Sequence, residues 1–242
     1  MRHRTVTGSI RYTSRKPGME GQERGREHFR FTHHHDGSII MRATCEIEEP
    51  APTVLRDIVY HIGPGMVPHN LLVHLTLDDV FLGSGWMHHD AAAGTVLCES
   101  FGPEMGRNSE RRETGGRLDG FGTHPVVGDG FLTRIMDTAR GPHRRHLDVM
   151  LPSPDHRGAT APRLAEVGID LEYVGEEERT VAAGTFACNH FRFIDNSEAG
   201  MGGERHPDYD MWITADADSI LVCGAIDGYM MNRYELVSLD RS

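Results

Sequence analysis

The sequence predicts a mainly β protein: a large curved antiparallel sheet, or half-open β-barrel, wrapped around one or two short helices. Three observations carry that expectation. Short apolar runs alternate with polar residues at period two and are cut by Gly, Asp-Asn, Asp or Asp-Gly turns. Only one stretch has helical periodicity. The closing block, Glu178 to Leu236, reads as four consecutive strands joined by turns.

Taken in order, Thr5 to Thr13 alternates as a strand, and the Gly-, Arg- and Glu-rich Ser14 to Glu27 reads as a mobile loop. Phe29, Phe31 and the run Ser38 to Ile47 flank His33-His34-His35-Asp36-Gly37, where Asp-Gly marks a hairpin tip. In Thr53 to Ile62 both faces are fairly apolar, as in a strand covered on both sides. Leu71 to Leu77 follows as a further strand, and Asp79 to His88 pairs with Thr95 to Phe101 as a hairpin. Gly102 to Gly122 has few apolar residues and reads as a long loop or weak edge hairpin. The helix candidate starts at Asp129, a capping residue, and carries Phe131, Leu132, Ile135 and Met136 on one face before Gly141-Pro142 stops it. Leu147 to Leu151 and Val167 to Val174 are strands on either side of a Pro-, Gly- and Ser-marked loop, Pro152 to Pro162.

A chain of 242 residues with no fixed-period repeat and no sharp change of composition suits a single β-rich domain, 1–242, that needs no disulfide or metal to form its core. The four cysteines, Cys45, Cys98, Cys188 and Cys223, stand singly in apolar runs and read as small buried hydrophobes. The net charge of −11 argues against a nucleic-acid or anionic-membrane partner. No apolar run is long enough to span a bilayer or to act as a signal peptide, which makes a cytoplasmic location the default expectation. Self-association is left open.

The C-terminal third contains Arg179-Thr180-Val181-Ala182-Ala183-Gly184-Thr185-Phe186, then Tyr209-Asp210-Met211-Trp212-Ile213 and Tyr234-Glu235-Leu236. In these residues it resembles the family called domain of unknown function 3108, which is similar to the LolA-like half-barrels. The resemblance implies a curved sheet whose concave face holds helices and can cup an apolar ligand. It implies no catalytic residues.

Sixteen histidines are the compositional excess that chemistry must account for. His33-His34-His35 and His88-His89-Asp90 read as solvated hairpin tips; neither has the spacing of a recognised metal site, and no metal or cofactor is expected. His190 shares its strand face with Phe186, Cys188 and Arg192, away from Phe191 and Phe193, and is expected to line a concave pocket with Arg192. His206 is expected to pair with Asp208 or Asp210 as an oriented acid/base couple, with Gly200, Gly202 and Gly203 before it as a flap. Trp212 is a stacking wall or core, and Tyr229 and Arg233, read as alternating with Glu235 on one face of the final strand, would crown the pocket. No G-x-S-x-G elbow, P-loop or G-x-G-x-x-G fingerprint is present, which disfavours serine hydrolases, kinases and dehydrogenases. The first functional expectation is a binder of an apolar or aromatic small molecule in a β-cup. The second is a cofactor-independent lyase, isomerase or hydrolase using His190, His206 and Asp210, with ligand contacts from Arg192, Trp212, Tyr229 and Arg233.

Overall fold

The computed structural model describes residues 3–196 and 205–242. Among these, fifteen strands form one sheet. In chain order they are β1 (His3–Ser14), β2 (Glu23–His34), β3 (Ile39–Ile47), β4 (Val54–Ile62), β5 (Pro68–Leu77), β6 (Val80–Asp90), β7 (Thr95–Gly102), β8 (Gly106–Glu113), β9 (Gly120–Phe121), β10 (His143–Leu151), β11 (Ala165–Val181), β12 (Gly184–Asp195), β13 (Tyr209–Thr214), β14 (Leu221–Ile226) and β15 (Asn232–Arg241). Their spatial order is β8-β7-β6-β5-β4-β3-β2-β1-β15-β14-β13-β12-β11-β10-β9. The chain thus winds outward from β1 to one edge, crosses the interior, and returns strand by strand to close against β1. Pairing is antiparallel throughout except between β9 and β10. The sheet is curved and its ends do not pair, as the sequence predicts for a half-open barrel.

Period two sorts the side chains onto two faces. Phe29 and Phe31 of β2, Ile58 and Tyr60 of β4, Phe191 and Phe193 of β12, and Tyr209 and Met211 of β13 all point inward and are buried. The crossing segment fills the cup. It contains β9, a short 3₁₀ turn (Val126–Gly128) and the helix α1 (Asp129–Thr133). Phe131 meets the Phe31 ring edge-on at 4.7 Å, and Phe121 meets Tyr60 at 5.8 Å. The helix is shorter than its periodicity predicts. After Thr133 the bonds tighten to i→i+3, from Arg134 N–H to Phe131 O and from Met136 N–H to Thr133 O. The expected apolar face survives this: Phe131, Leu132 and Met136 are buried.

Two buried charges tie the crossing segment and a loop to the sheet. The Glu27 carboxylate, fully buried on β2, accepts N–H bonds from Val126 and Val127 at 2.8 Å each, and the Tyr12 hydroxyl. Burial lifts this carboxyl to about 7 against the opposing pull of those donors. Arg56, on the inner face of β4, donates to the carbonyls of Arg157 at 2.8 Å and Gly158 at 2.7 Å, pinning the 152–164 loop. That loop bridges the unpaired ends of the sheet: Leu164 N–H bonds Glu110 of β8, while Pro162 packs over Gly83 and Gly85 of β6.

The 102–122 stretch takes the second of its two readings: β8 forms an edge hairpin with β7, and the short β9 follows at the other edge. Two sequence expectations need correction. Residues 23–27 are not loop but the start of β2, so Glu27 shares the inward face with Phe29 and Phe31. Tyr229 does not lie on the final strand, which begins at Asn232; it sits in the turn before it. The four cysteines are free and buried, as expected. Gly200, Gly202, Gly203 and Glu204 lie outside the described residues.

Candidate functional site

The expected constellation does assemble, but on the outer face of the sheet. Alternation along β12 turns Phe191, Phe193 and Asp195 into the cup, which sends His190 and Arg192 the other way. Register then sets His190 opposite Trp212 and Arg192 opposite Asp210. His190 Nε2 lies 2.7 Å from Asp210 Oδ1, and Arg192 Nε donates to the same oxygen at 3.0 Å. The His190 ring stacks on Trp212 at 4.5 Å, and the Arg179 guanidinium covers the other indole face at 4.2 Å. His190 Nδ1 is 3.2 Å from Glu177 Oε1, without hydrogen-bond alignment. Burial alone would raise the Asp210 carboxyl; the bonds from His190 and Arg192 outweigh it and hold it below the usual range. Glu172 extends the row beyond Arg192, and Arg233 is exposed beside Glu235 on the same outer face. This is a ladder of cross-strand charges and stacked rings. The concave pocket predicted for His190 and Arg192 is on the opposite side of their strand.

His206 parts from Asp210 for the same reason. Tyr209 points inward, so its neighbour Asp210 points out. His206 instead faces the cup, with its backbone N–H on Asp195 Oδ2 at 2.9 Å. Its Nδ1 is 2.6 Å from the Pro207 carbonyl. A carbonyl can only accept, so Nδ1 carries the proton and Nε2 keeps its lone pair. Burial lowers the imidazole pKa, in keeping with a neutral ring.

Inside the cup, between the crossing segment and β10–β15, lies a cavity of about 120 Å³. Its apolar wall comes from Leu132, Val149, Val167, Ile169, Phe193 and Ile226. Its polar wall comes from His124, Asp129, Asp195, His206, Tyr209 and Tyr234. A second cavity of about 160 Å³ adjoins it, sharing His124, Val126, His156, Met230 and Tyr234, and runs on to Lys16, Arg24 and Tyr229. Tyr229, in the turn, meets His156 edge-on at 5.9 Å at this outer end. Of the sequence-predicted residues, the structure therefore brings His206 into the cup, sets the exposed Tyr229 at the outer end of the second cavity, and leaves His190, Arg192, Asp210, Trp212 and Arg233 on the outer face.

The polar wall is under-partnered. The Tyr209 hydroxyl is buried without a hydrogen bond among the described residues, and so is His124 Nε2. The Asp129 carboxyl has neither cation nor hydrogen-bond donor among them; burial and the nearby Glu27 carboxyl push its pKa well above the usual value. Burial and the Arg56 charge depress His124 strongly. Burial, then Asp129, raises Tyr209. Each of these shifts favours the neutral form of its group, in a polar-ended, mostly apolar space. Among the described residues no group of three His, Cys, Asp or Glu side chains converges as a metal site. Sequence reasoning passed over Glu27, His124 and Asp129. For Glu27 the signal was present, since Glu27, Phe29 and Phe31 share a period-two face.

Comparison with known proteins gives fold and no activity. No family model matches the chain, and no curated protein matches it. Among solved structures, it is similar to a β-barrel-like protein of domain of unknown function DUF1849 from Brucella abortus, at 14% identity and a TM-score of 0.56, covering 99% of this chain and 97% of that one. A candidate lipoprotein from Parabacteroides distasonis follows at 9% identity and a TM-score of 0.37, covering 97% and 94% of the two chains. A candidate exported protein with a YmcC-like fold from Bacteroides fragilis gives 9% and 0.33, covering 99% and 95%. The similarity to the DUF1849 structure spans the whole chain, whereas the resemblance seen in sequence reached only its last third. The similarity to the DUF1849 structure shows a β-barrel-like fold; domain of unknown function 3108 is not among these neighbours.

Proposed function

We propose that this protein binds a small, largely apolar molecule inside the cup, with its polar end against Asp129, Tyr209 and His124. The observation that supports it most directly is the buried, unpartnered Tyr209 hydroxyl on a cavity wall. A buried hydroxyl without a partner costs about 1–3 kcal/mol, a cost that a ligand supplying the missing bond would relieve. The size is suitable: a dry apolar cavity of roughly 150 Å³ binds benzene, and ligand pockets begin near 300 Å³, so the inner cavity suits one ring and the outer one a tail. The turn carrying Tyr229 is the way in.

The test is native mass spectrometry for a co-purified molecule, followed by thermal shift with small cyclic and aromatic compounds. A binder at a hundred times its Kd stabilises the fold by about 2.7 kcal/mol. No mass increment and no shift across the panel would refute the reading.

A second reading rests on His206. A neutral imidazole with Nδ1–H held by Pro207 O and Nε2 left as acceptor has the state a general base needs. Under this reading the cup runs cofactor-independent acid/base chemistry, and a His206→Gln variant that binds as tightly as wild type should lose turnover of the ligand. Unchanged turnover would remove it.

A further inference from the structure

The cavity wall also says what the ligand's polar end is. Resting on the binding reading above, we propose that it is an uncharged acceptor oxygen, the carbonyl of a ketone, ester or amide, held by the hydroxyl of Tyr209 and the carboxylic acid of Asp129.

The argument is one of elimination by charge and satisfaction by donors. A carboxyl enclosed with no cation and no donor retains its proton, because ionising it there costs far more than it does in water. Asp129 is half-buried at the cavity wall with neither cation nor donor among the described residues, and Glu27 behind it is a second, fully buried carboxyl that disfavours its charge. A protonated carboxyl and a phenol are both O–H donors. Tyr209 Oη has no acceptor among the described residues. Both residues line one space of about 120 Å³, where a ring-sized ligand whose oxygen reached the buried Tyr209 hydroxyl would supply its missing acceptor. Two neutral donors on a shared wall match one carbonyl oxygen with its two lone pairs. The arrangement follows the physical logic by which a tyrosine and a protonated aspartate together hold a substrate oxygen.

The other head groups fit less well. A carboxylate ligand would meet no Lys or Arg among the described residues of this cavity and would bring an uncompensated charge into it. An ammonium would have to lose its hydration and at the same time draw the proton from Asp129, two desolvated charges in place of none. A plain hydrocarbon would leave both donors unsatisfied.

The experiment uses four matched probes with the full-length protein: cyclohexanone, cyclohexylamine, cyclohexanecarboxylate and cyclohexane, measured by ligand-observed NMR titration. Cyclohexanone should bind tightest. Tyr209→Phe should weaken it roughly tenfold, the worth of one neutral hydrogen bond, and leave cyclohexane unchanged. Asp129→Asn keeps an N–H donor and should cost less than about threefold, whereas Asp129→Leu should match Tyr209→Phe. Thermal melts confirm folding of each variant; if Asp129→Leu fails to fold, Tyr209→Phe and Asp129→Asn decide. Cyclohexane binding as tightly as cyclohexanone would leave the cavity reading standing and overturn the carbonyl assignment, as would preference for the amine or the carboxylate. Binding of none of the four would overturn both.

Discussion

Two polar clusters lie on opposite sides of the sheet at β13, one on its outer face and one between Tyr209 and the crossing segment, and they differ in how their charges are met. On the outer face Asp210 takes bonds from both His190 and Arg192, and Trp212 is sandwiched between His190 and Arg179. On the inner face Asp129 has no partner among the described residues and the Tyr209 hydroxyl has none. The outer cluster neutralises its own charges, although His190 Nδ1, Trp212 Nε1 and Arg179 Nε also lack hydrogen-bond partners among the described residues; the inner cluster is the one that lines the cavity described above. Its enclosed, unsatisfied donors have the capacity to hold a ligand, and they persist only because the surrounding core holds them in place. The residue types that look most like a catalytic site in sequence therefore belong to the structural cluster.

That contrast breaks first at the anchor beneath the inner cluster. Glu27→Ala leaves the Val126 and Val127 N–H groups and the Tyr12 hydroxyl without their acceptor, and should destabilise the fold by about 3–5 kcal/mol in a denaturant melt. The same carboxyl sets a pH dependence. Its pKa rises from 4.5 to about 7 on folding, so its protonated form is the one the fold favours. This contribution is fully present below the unfolded value and is lost as pH climbs through the folded one, a fall of roughly 3 kcal/mol in all. Stability measured from pH 4.5 to 7.5 should show that fall in wild type and a flatter line in Glu27→Gln.

The loop anchor comes next. Arg56→Met removes the donor to two carbonyls of the 152–164 loop, and should cost about 2–3 kcal/mol with faster proteolytic cleavage inside that loop. An unchanged digestion pattern would show that the loop is held by its apolar contacts instead. On the outer face, Arg192→Ala should cost at most about 1 kcal/mol, because the pair is half-exposed and screened, and ligand affinity should not move. A loss of binding there would mean that the outer cluster is the site. The smallest effect belongs to edge strand β8: Arg111→Ala should stay within about 0.5 kcal/mol of wild type, since its contact with Glu113 is fully at the surface.

The fold was legible because a sheet writes its faces in alternation. Val54, Ile58, Tyr60 and Ile62 announce one face of β4 whatever surrounds them. The site was less legible because alternation separates faces without saying which one is concave. His190 with Arg192 and Phe191 with Phe193 are correctly divided by period two, and only the fold shows that the phenylalanines look into the cup. Glu27 was hidden by its neighbours, as Glu23, Arg24, Gly25 and Arg26 have the composition of a loop. His124 sits in the irregular part of the crossing segment, where no periodicity assigns a face, and Asp129 opens α1, where the sequence offers it only a capping role. Their role comes from the sheet that encloses them, through contacts far apart in sequence.

The most direct measurement of the central claim is the affinity of cyclohexanone for wild type, Ile226→Phe and His190→Ala, with melts to confirm that all three fold. Ile226 lines the inner cavity and a larger ring there takes up its space, whereas His190 lies on the outer face. The account predicts that Ile226→Phe abolishes binding while His190→Ala leaves it as in wild type. Binding that survives Ile226→Phe and disappears in His190→Ala would place the site on the outside of the sheet and contradict it.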